Sequence, residues 1–224
     1  MADSTIYSGG HDGYVRLRSV TSWNAAQGSA TTDGGAHSST LANYFSGVYA
    51  GSFGSRGSND YKCYRSYFVF DVSGESGTVD SAIIRIYMDN LGSTIYDSEK
   101  VILVEATALD DGVEDHGNVF SSGTTWHNDI ASNVVVSTTA DYHDFTMNSD
   151  GITLIQNAIG SGSITVGLVG YHSDYSEQIP TGGGDYTKIK VWYSNYLGTS
   201  FDSKIDITYA VVSADNATFF GANF

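Results

Sequence analysis

The chain has 224 residues, and ten Lys and Arg stand against 25 Asp and Glu, which gives a formal net charge of −15. Such a charge repels a phosphate backbone and an anionic membrane surface, and therefore argues against nucleic-acid binding. No segment approaches the length needed to span a bilayer, so we expect no membrane insertion. The single cysteine, Cys63, excludes an internal disulfide and a zinc site built on cysteines. Length, one proline and no polar linker predict one domain over residues 1–212, loop-heavy and rich in glycine and serine over 21–60, followed by an extended tail over 213–224.

The first part of the chain predicts short strands separated by turns. Residues Ser4 to Tyr7 and Tyr14 to Val20 flank the turn Gly9 to Gly13 and predict two strands. Residues 21–60 are dominated by small and polar types, but a structureless loop of this length is unusual in a compact domain. We therefore expect at least one strand within them, around Val48 to Phe53.

Two long alternating segments, residues 63–72 and 82–89, form the predicted centre of the fold. In the first, Phe68 lies on one side, whereas Arg65 and Asp71 lie on the other. Side chains in a strand point to opposite faces with a period of two, so each strand has one mostly apolar face and one face with spaced charges. This pattern is typical of a sandwich sheet that is packed on one side and solvated on the other.

The second half of the chain predicts further strands and one helix. The strand segments are Lys100 to Ala108, Val134 to Val136, Tyr142 to Met147, Ser163 to Tyr171, Lys188 to Trp192 and Lys204 to Val212. Within residues 149–159 the apolar side chains follow helical spacing, Asn148, Ser149 or Asp150 can cap the start, and Gly160 can end the helix. The sequence therefore predicts an all-β antiparallel sandwich with one short α-helix at about 149–159.

The order of these segments resembles a known kind of domain. The chain contains, in sequence, YRSYFVFDVSG, VDSAIIRIYMD, GTTWHND, YHDFTMNSDGITLIQNAI, ITVGLVGY and GTSFDSKIDITY. Before these segments, DGYVR at residues 12–16 is followed by SW at residues 22–23. This order resembles a jelly-roll β-sandwich domain of tailed-bacteriophage structural proteins and, more distantly, DNRLRE and carbohydrate-binding-module-like sandwiches of secreted and surface proteins. The resemblance implies a jelly roll and a virion-associated role, such as a head decoration, tail or fibre component. It brings no catalytic residues.

Motifs that carry chemistry are weak in this sequence. The six histidines form no HxH or HExxH pair, and neither a GxSxG nor a Walker motif occurs. Cys63 lies in a predicted strand without a local activating signature, so we assign no catalytic residue and expect no enzyme. The acidic run offers Asp110, Asp111 and Asp115 as oxygen ligands for a structural calcium ion, although an exposed acidic turn is the commoner outcome. We expect no other cofactor.

Aromatic residues among small polar ones form the candidate contact surface. Rigid amphipathic rings in such surroundings recognise either another protein or a sugar ring. The candidates are Tyr171, Tyr175, Tyr186, Tyr193 and Tyr196 of the tyrosine-rich region, and Phe219, Phe220 and Phe224 of the tail.

Two functional hypotheses follow from these residues and from the resemblance. The first is a non-enzymatic structural or interaction protein of a virus particle. It would contact other virion proteins and copies of itself as a homo-oligomer, because exposed strand edges and an apolar tail need a partner. The N-terminus has neither a basic start nor an apolar run, so we expect no signal peptide and assembly into virions in the host cytoplasm. The alternative is a carbohydrate-binding module or receptor-binding adhesin that holds a cell-surface glycan with its tyrosine-rich loops.

Overall fold

The computed structural model describes residues 3–9, 12–28, 34–37, 43–55, 58–94, 100–107, 119–122, 125–176, 178, 184–193 and 198–211. The predicted acidic metal candidates, the contact candidate Tyr196 and the predicted tail with its three phenylalanines lie outside these residues. Among the described helices, none has the length and apolar character that crossing a membrane requires.

The described residues are mostly β-strand, and the paired strands run antiparallel. The elements are β1 (Asp3–Tyr7), β2 (Gly13–Val20), α1 (Trp23–Gly28), β3 (Gly34–His37), β4 (Asn43–Ser55), β5 (Ser58–Asp71), β6 (Val79–Ser93), β7 (Lys100–Glu105), β8 (Phe120–Ser122), β9 (Thr125–Trp126), β10 (Val134–Val135), β11 (Asp141–Thr146), α2 (Ser149–Ala158), β12 (Ser163–Gly170), a π-helical turn (Tyr171–Tyr175), β13 (Tyr186–Trp192), a 3₁₀ turn (Gly198–Ser200) and β14 (Lys204–Tyr209). The predicted all-β class and the single longer helix are confirmed, whereas the jelly-roll connectivity stays a prediction.

The strands form two layers that are continuous through hydrogen bonds. The main path runs β1-β14-β6-β13-β4-β5-β12-β7-β10, with β11 added to β6 and with β2 and β3 added to β5. We call β1, β14, β6 and β11 the front layer, and β2, β5, β12 and β7 the rear layer. Strand β4 joins them, because it pairs with β13 and forms a long hairpin with β5.

The main hydrophobic core lies between the two layers and confirms the predicted apolar faces. Buried side chains of both layers belong to one cluster, so the layers pack face to face. The front layer contributes Ala82, Ile84, Ile86 and Met88 of β6 and Ile205 and Ile207 of β14; the rear layer contributes Phe68 and Phe70 of β5 and Ile164, Val166 and Leu168 of β12. Full burial of one such large apolar side chain stabilises a fold by about 1.5–3 kcal/mol.

The predicted solvated face of β5 is wrong for most of the strand, although Asp71 at its end is exposed. Cys63, Arg65 and Tyr67 have no exposed surface. Helix α1 packs on Cys63, and residues of the β8–β9 hairpin and the π-helical turn pack beside Tyr67 in a second hydrophobic cluster. These short covering elements add a third layer that strand alternation cannot reveal. On β6 the prediction holds, because Arg85 and Asp89 are partly exposed.

Helix α2 begins at a side-chain cap and packs closely against the front layer. The Oδ1 atom of Asn148 accepts hydrogen bonds from the backbone N–H groups of Asp150 and Gly151, each at 3.0 Å. Such a cap satisfies two donors that the helix itself leaves unpaired. At Gly151 a Cβ atom would lie 2.5 Å from the carbonyl oxygen of Ile130 and 2.5 Å from Cε of Met147.

We expect Gly151→Ala to destabilise the fold, although alanine is normally the better helix residue by about 1 kcal/mol. Because a backbone carbonyl cannot move aside, we expect the free energy of unfolding to fall by about 1–3 kcal/mol. Thr153→Ala on the exposed side of the same helix is the control, with an expected change within about 0.5 kcal/mol. Urea unfolding monitored by circular dichroism measures both, and a stabilising Gly151→Ala would contradict this packing.

Candidate functional site

The structure brings two of the predicted contact residues together. Tyr171 and Tyr175 lie on the π-helical turn, with ring centroids 6.0 Å apart and ring planes only 20° from parallel. Both rings are partly exposed. Tyr186 lies elsewhere, on β13, where its ring stacks on Tyr49 at 6.3 Å and lines a cleft of about 260 Å³ with Leu91.

Tyr193 belongs to the core and not to a contact surface. Its side chain is fully buried, and its ring stacks on Phe68 at 5.8 Å. Its hydroxyl shares a hydrogen bond of 2.7 Å with Oγ of Ser66, which satisfies a polar group that would otherwise be costly to bury. The Tyr193 ring is therefore not accessible to a partner in this structure.

The two tyrosines on the π-helical turn belong to a larger group of rings, which we call the ring cluster: Phe120, Trp126, Tyr171 and Tyr175. The centroids of Phe120 and Trp126 are 4.7 Å apart, and those of Trp126 and Tyr175 are 5.2 Å apart. Phe120 is buried, whereas the other three are partly exposed. Sequence analysis missed Phe120 and Trp126, because a hairpin of two short strands gives no alternation. The lone Trp126 between polar residues was the available signal.

A fully buried ion pair lies beneath the ring cluster. Nε of Arg65 is 2.7 Å from Oδ2 of Asp174, and Nη2 of Arg65 is 2.7 Å from Oδ1 of the same carboxylate. Asp174 lies on the π-helical turn between the two tyrosines. The guanidinium carbon lies 4.9 Å from the Phe120 ring centroid and 5.1 Å from that of Trp126. The pair thus fixes the turn and the hairpin on strand β5.

Helix α1 completes the surroundings of this ion pair. Nη2 of Arg65 donates to the backbone carbonyl of Gln27 at 2.8 Å, and Nε2 of Gln27 donates to the backbone carbonyl of Asp174. Desolvation by burial lowers the pKa of Arg65, but the charge of Asp174, aided by Cys63 and by the hydrogen bond to Asp174, raises it more. The guanidinium therefore stays charged, and a bidentate pair of this kind is among the strongest charge-assisted contacts.

Two ionisable side chains at the ring cluster, Cys63 and Tyr175, have raised pKa values. Burial, followed by the charge of Asp174, raises the pKa of the Cys63 thiol well above its usual range, so the thiol stays protonated at neutral pH. Its Sγ lies 3.4 Å from Oδ2 of Asp174. Burial, followed by the charge of Asp129, raises the pKa of Tyr175, whose hydroxyl hydrogen-bonds to that carboxylate. The Tyr175 hydroxyl thus stays protonated at neutral pH.

Metal binding has no visible site in the part of the chain that the structure covers. There, no three side chains of His, Cys, Asp or Glu gather as they do around a metal ion. The calcium candidates Asp110, Asp111 and Asp115 fall outside that part, so calcium binding stays a prediction.

A scan against protein-family models finds none that fits this chain, and a search of characterised proteins finds no similar sequence.

Proposed function

We propose that the protein is a non-enzymatic structural and interaction protein of a virus particle, and that its ring cluster contacts a neighbouring protein. The observation that carries this proposal is a partly exposed group of rings held on a fully buried Arg65–Asp174 pair. The order of sequence segments, which resembles tailed-phage jelly-roll domains, supports the virus-particle part.

The rigidity of the ring cluster suits a contact surface. Trp and Tyr dominate the binding energy of protein interfaces, because they bury large areas and lose few rotamers. Here Trp126 and Tyr175 are already held by neighbouring rings, and Tyr175 also by its hydrogen bond to Asp129. A surface fixed before binding loses less conformational entropy when the partner arrives.

The chemistry of this surface favours a protein partner over a substrate. The hydroxyl of Tyr175 hydrogen-bonds to Asp129, and both side chains of the ion pair are buried beneath the rings. The rings therefore offer apolar area, and the charged groups below them are out of reach of a ligand. An apolar patch with a polar rim is the usual composition of a protein–protein contact.

The proposal is tested first on particles purified from the native source. A density gradient of the lysate, followed by mass spectrometry of its fractions, should place the protein in the particle fractions. Cryo-electron microscopy should then show ordered copies whose ring clusters face a neighbouring chain. Recovery of the protein only from fractions of free soluble protein would refute the particle role.

We expect the double variant Tyr171→Ala/Tyr175→Ala to reduce incorporation into particles at least tenfold. Replacing a tyrosine at the centre of an interface by alanine weakens the binding free energy by about 1–2 kcal/mol. A loss of about 1.4 kcal/mol corresponds to a tenfold change in affinity. Tyr7→Ala is the matched control, because this tyrosine is 43% exposed on the other layer. The single variant Tyr171→Ala, which keeps the Tyr175 hydrogen bond, should show part of the loss. If the double variant is well folded and is incorporated as efficiently as the original protein, contact through the rings is refuted.

A further inference from the structure

A polar groove crosses the outer face of the front layer, and we infer that it binds a neutral sugar. We call it the front groove; Thr5, Arg85, Lys204 and Asp206 line its floor, and its volume is about 400 Å³. That volume lies within the range of pockets that hold small molecules. The front groove shares no residue with the ring cluster, so this inference goes beyond the proposed function and does not depend on it.

The strand register sets the side chains of the front groove in two adjoining rows. Thr5 of β1 lies opposite Asp206 of β14, which forms the first row. In the next row, Lys204 of β14 lies opposite Arg85 of β6, and Arg85 lies opposite Asp144 of β11. Directly opposite residues in antiparallel strands project to the same face at close spacing. The groove is therefore built on regular strands, which hold side chains more firmly than loops do.

Hydrogen bonds within the floor orient these groups in advance. Oγ1 of Thr5 donates to Oδ1 of Asp206 at 2.6 Å, and Nη1 of Arg85 donates to Oδ2 of the same carboxylate. Nε of Arg85 donates to Oδ1 of Asp144 at 3.1 Å. The side chains of Arg85 and Asp206 are 31% and 28% exposed, so a ligand in the groove can reach both.

The charges of the floor select an uncharged ligand. Among the lining residues, Arg85 and Lys204 balance Asp3 and Asp206, and Asp144 pairs with Arg85 beside the groove, so cations and anions alternate at short range. A polyanion would meet the two carboxylates and the overall charge of −15, and a polycation would meet the guanidinium and the ammonium group. A sugar hydroxyl both donates and accepts hydrogen bonds, so neighbouring hydroxyls can bond to a carboxylate and to a cation at once.

Two tyrosines flank Lys204 outside the lining of the front groove and supply surface for the C–H face of a sugar ring that extends past its edge. Tyr7 lies opposite Lys204 on β1 and is 43% exposed. On the other side, Nζ of Lys204 lies 5.0 Å from the ring centroid of Tyr142. The Tyr142 hydroxyl lies 3.1 Å from the backbone carbonyl oxygens of both Ser200 and Asp202, which share its single proton and fix the ring in place. Rings with an apolar face beside hydrogen-bonding groups match the two surfaces of a pyranose.

The test is an array of neutral, sulfated and sialylated oligosaccharides probed with the full chain, followed by calorimetric titration of the best neutral glycan. We expect a neutral glycan to bind, and we expect Asp206→Asn and Lys204→Ala each to weaken it at least tenfold. Lys190→Ala is the matched control, because Nζ of Lys190 likewise lies over a ring, 4.0 Å from the centroid of Trp192, but outside the front groove. The control should bind with unchanged affinity, and thermal unfolding should show that all three variants are folded.

Four outcomes would overturn the inference. They are an array on which no neutral glycan binds at millimolar concentration, binding of sulfated or sialylated glycans alone, full affinity in both Asp206→Asn and Lys204→Ala, and an equal loss in Lys190→Ala. The double variant Tyr171→Ala/Tyr175→Ala separates this site from the ring cluster. If that variant alone lost glycan binding, the sugar would belong to the ring cluster, and the front groove would be refuted whatever the result of the particle experiment.

Discussion

Asp174→Ala is expected to lower the free energy of unfolding by about 3–5 kcal/mol, because it leaves the charge of Arg65 buried without its carboxylate. Arg65 has no exposed surface, and its remaining partners include the carbonyl of Gln27 and the rings of Phe120 and Trp126. Dipoles and ring faces compensate a buried cation less well than an anion does. Equilibrium unfolding in urea measures the loss.

An exposed ion pair of the same protein provides the control. Arg85 and Asp144 pair at 3.1 Å, but their side chains are 31% and 52% exposed. Asp144→Ala should therefore cost no more than about 1 kcal/mol, because water already screens that pair. Equal losses for Asp174→Ala and Asp144→Ala would show that the buried pair does not anchor the ring cluster.

Removal of both buried charges together should restore most of the lost stability. A buried ion pair gains little net free energy, since desolvation offsets the attraction, and apolar replacements of similar volume are often neutral or stabilising by about 1–4 kcal/mol. We therefore expect Arg65→Met/Asp174→Leu to be more stable than Asp174→Ala. If the double variant is stable but fails to enter particles, the role of the pair is to position the rings. In that case the fluorescence of the tryptophans should change, because the surroundings of Trp126 differ.

Alternation identified most of the fold, and it failed where elements are short. The central strands β5 and β6 and helix α2 were predicted because each repeats its pattern over several residues. Helix α1 has six residues and the β8–β9 hairpin five, which is too few for a period to appear. These short elements cover β5, which is why its charged face was assigned to solvent.

The candidate site could be predicted from the sequence only where neighbouring residues identify it, and not where it depends on residues that are far apart in the chain. The composition of the tyrosine-rich region predicts that Tyr171 and Tyr175 contact a partner. It predicts the same for Tyr193, which is buried. Tyr193 continues the alternation of Ile189 and Val191, both buried, and that signal would have placed it in the core. Arg65 and Asp174 are 109 residues apart, and local sequence does not select one carboxylate from 25 acidic residues.

We also expect Asp202 to have a large, pH-dependent effect on the free energy of unfolding. This residue precedes β14 and is only 5% exposed. Its Oδ1 has no hydrogen-bond partner among the described residues. Burial raises the pKa of this carboxyl from 3.8 to about 6. The folded state therefore binds the proton more tightly than the unfolded state, and the contribution of Asp202 to stability falls as the pH rises from about 4 to about 6.

Asp202→Asn removes this titration and should stabilise the protein at neutral pH. The gain should reach about 3 kcal/mol above pH 7, since one pKa unit corresponds to about 1.4 kcal/mol, and it should vanish near pH 3.5. Thermal or urea unfolding of both proteins from pH 3.5 to 8 measures the difference. His143 acts in the opposite direction, because burial lowers its pKa and protonation at acid pH destabilises the fold. Both proteins contain His143, so its effect cancels in the difference.

Asp80→Asn separates the burial of Asp202 from the overall charge. Asp80 is exposed, so its substitution removes the same negative charge from a chain of net charge −15 without relieving any desolvation. A general relief of repulsion would stabilise both variants alike, and it would weaken as salt is added, since exposed charges are screened. If burial is the cause, only Asp202→Asn should raise the free energy of unfolding. That increase should persist in salt and disappear below about pH 4, because a buried carboxylate is costly to ionise. Equal gains in the two variants would place Asp202 in contact with water.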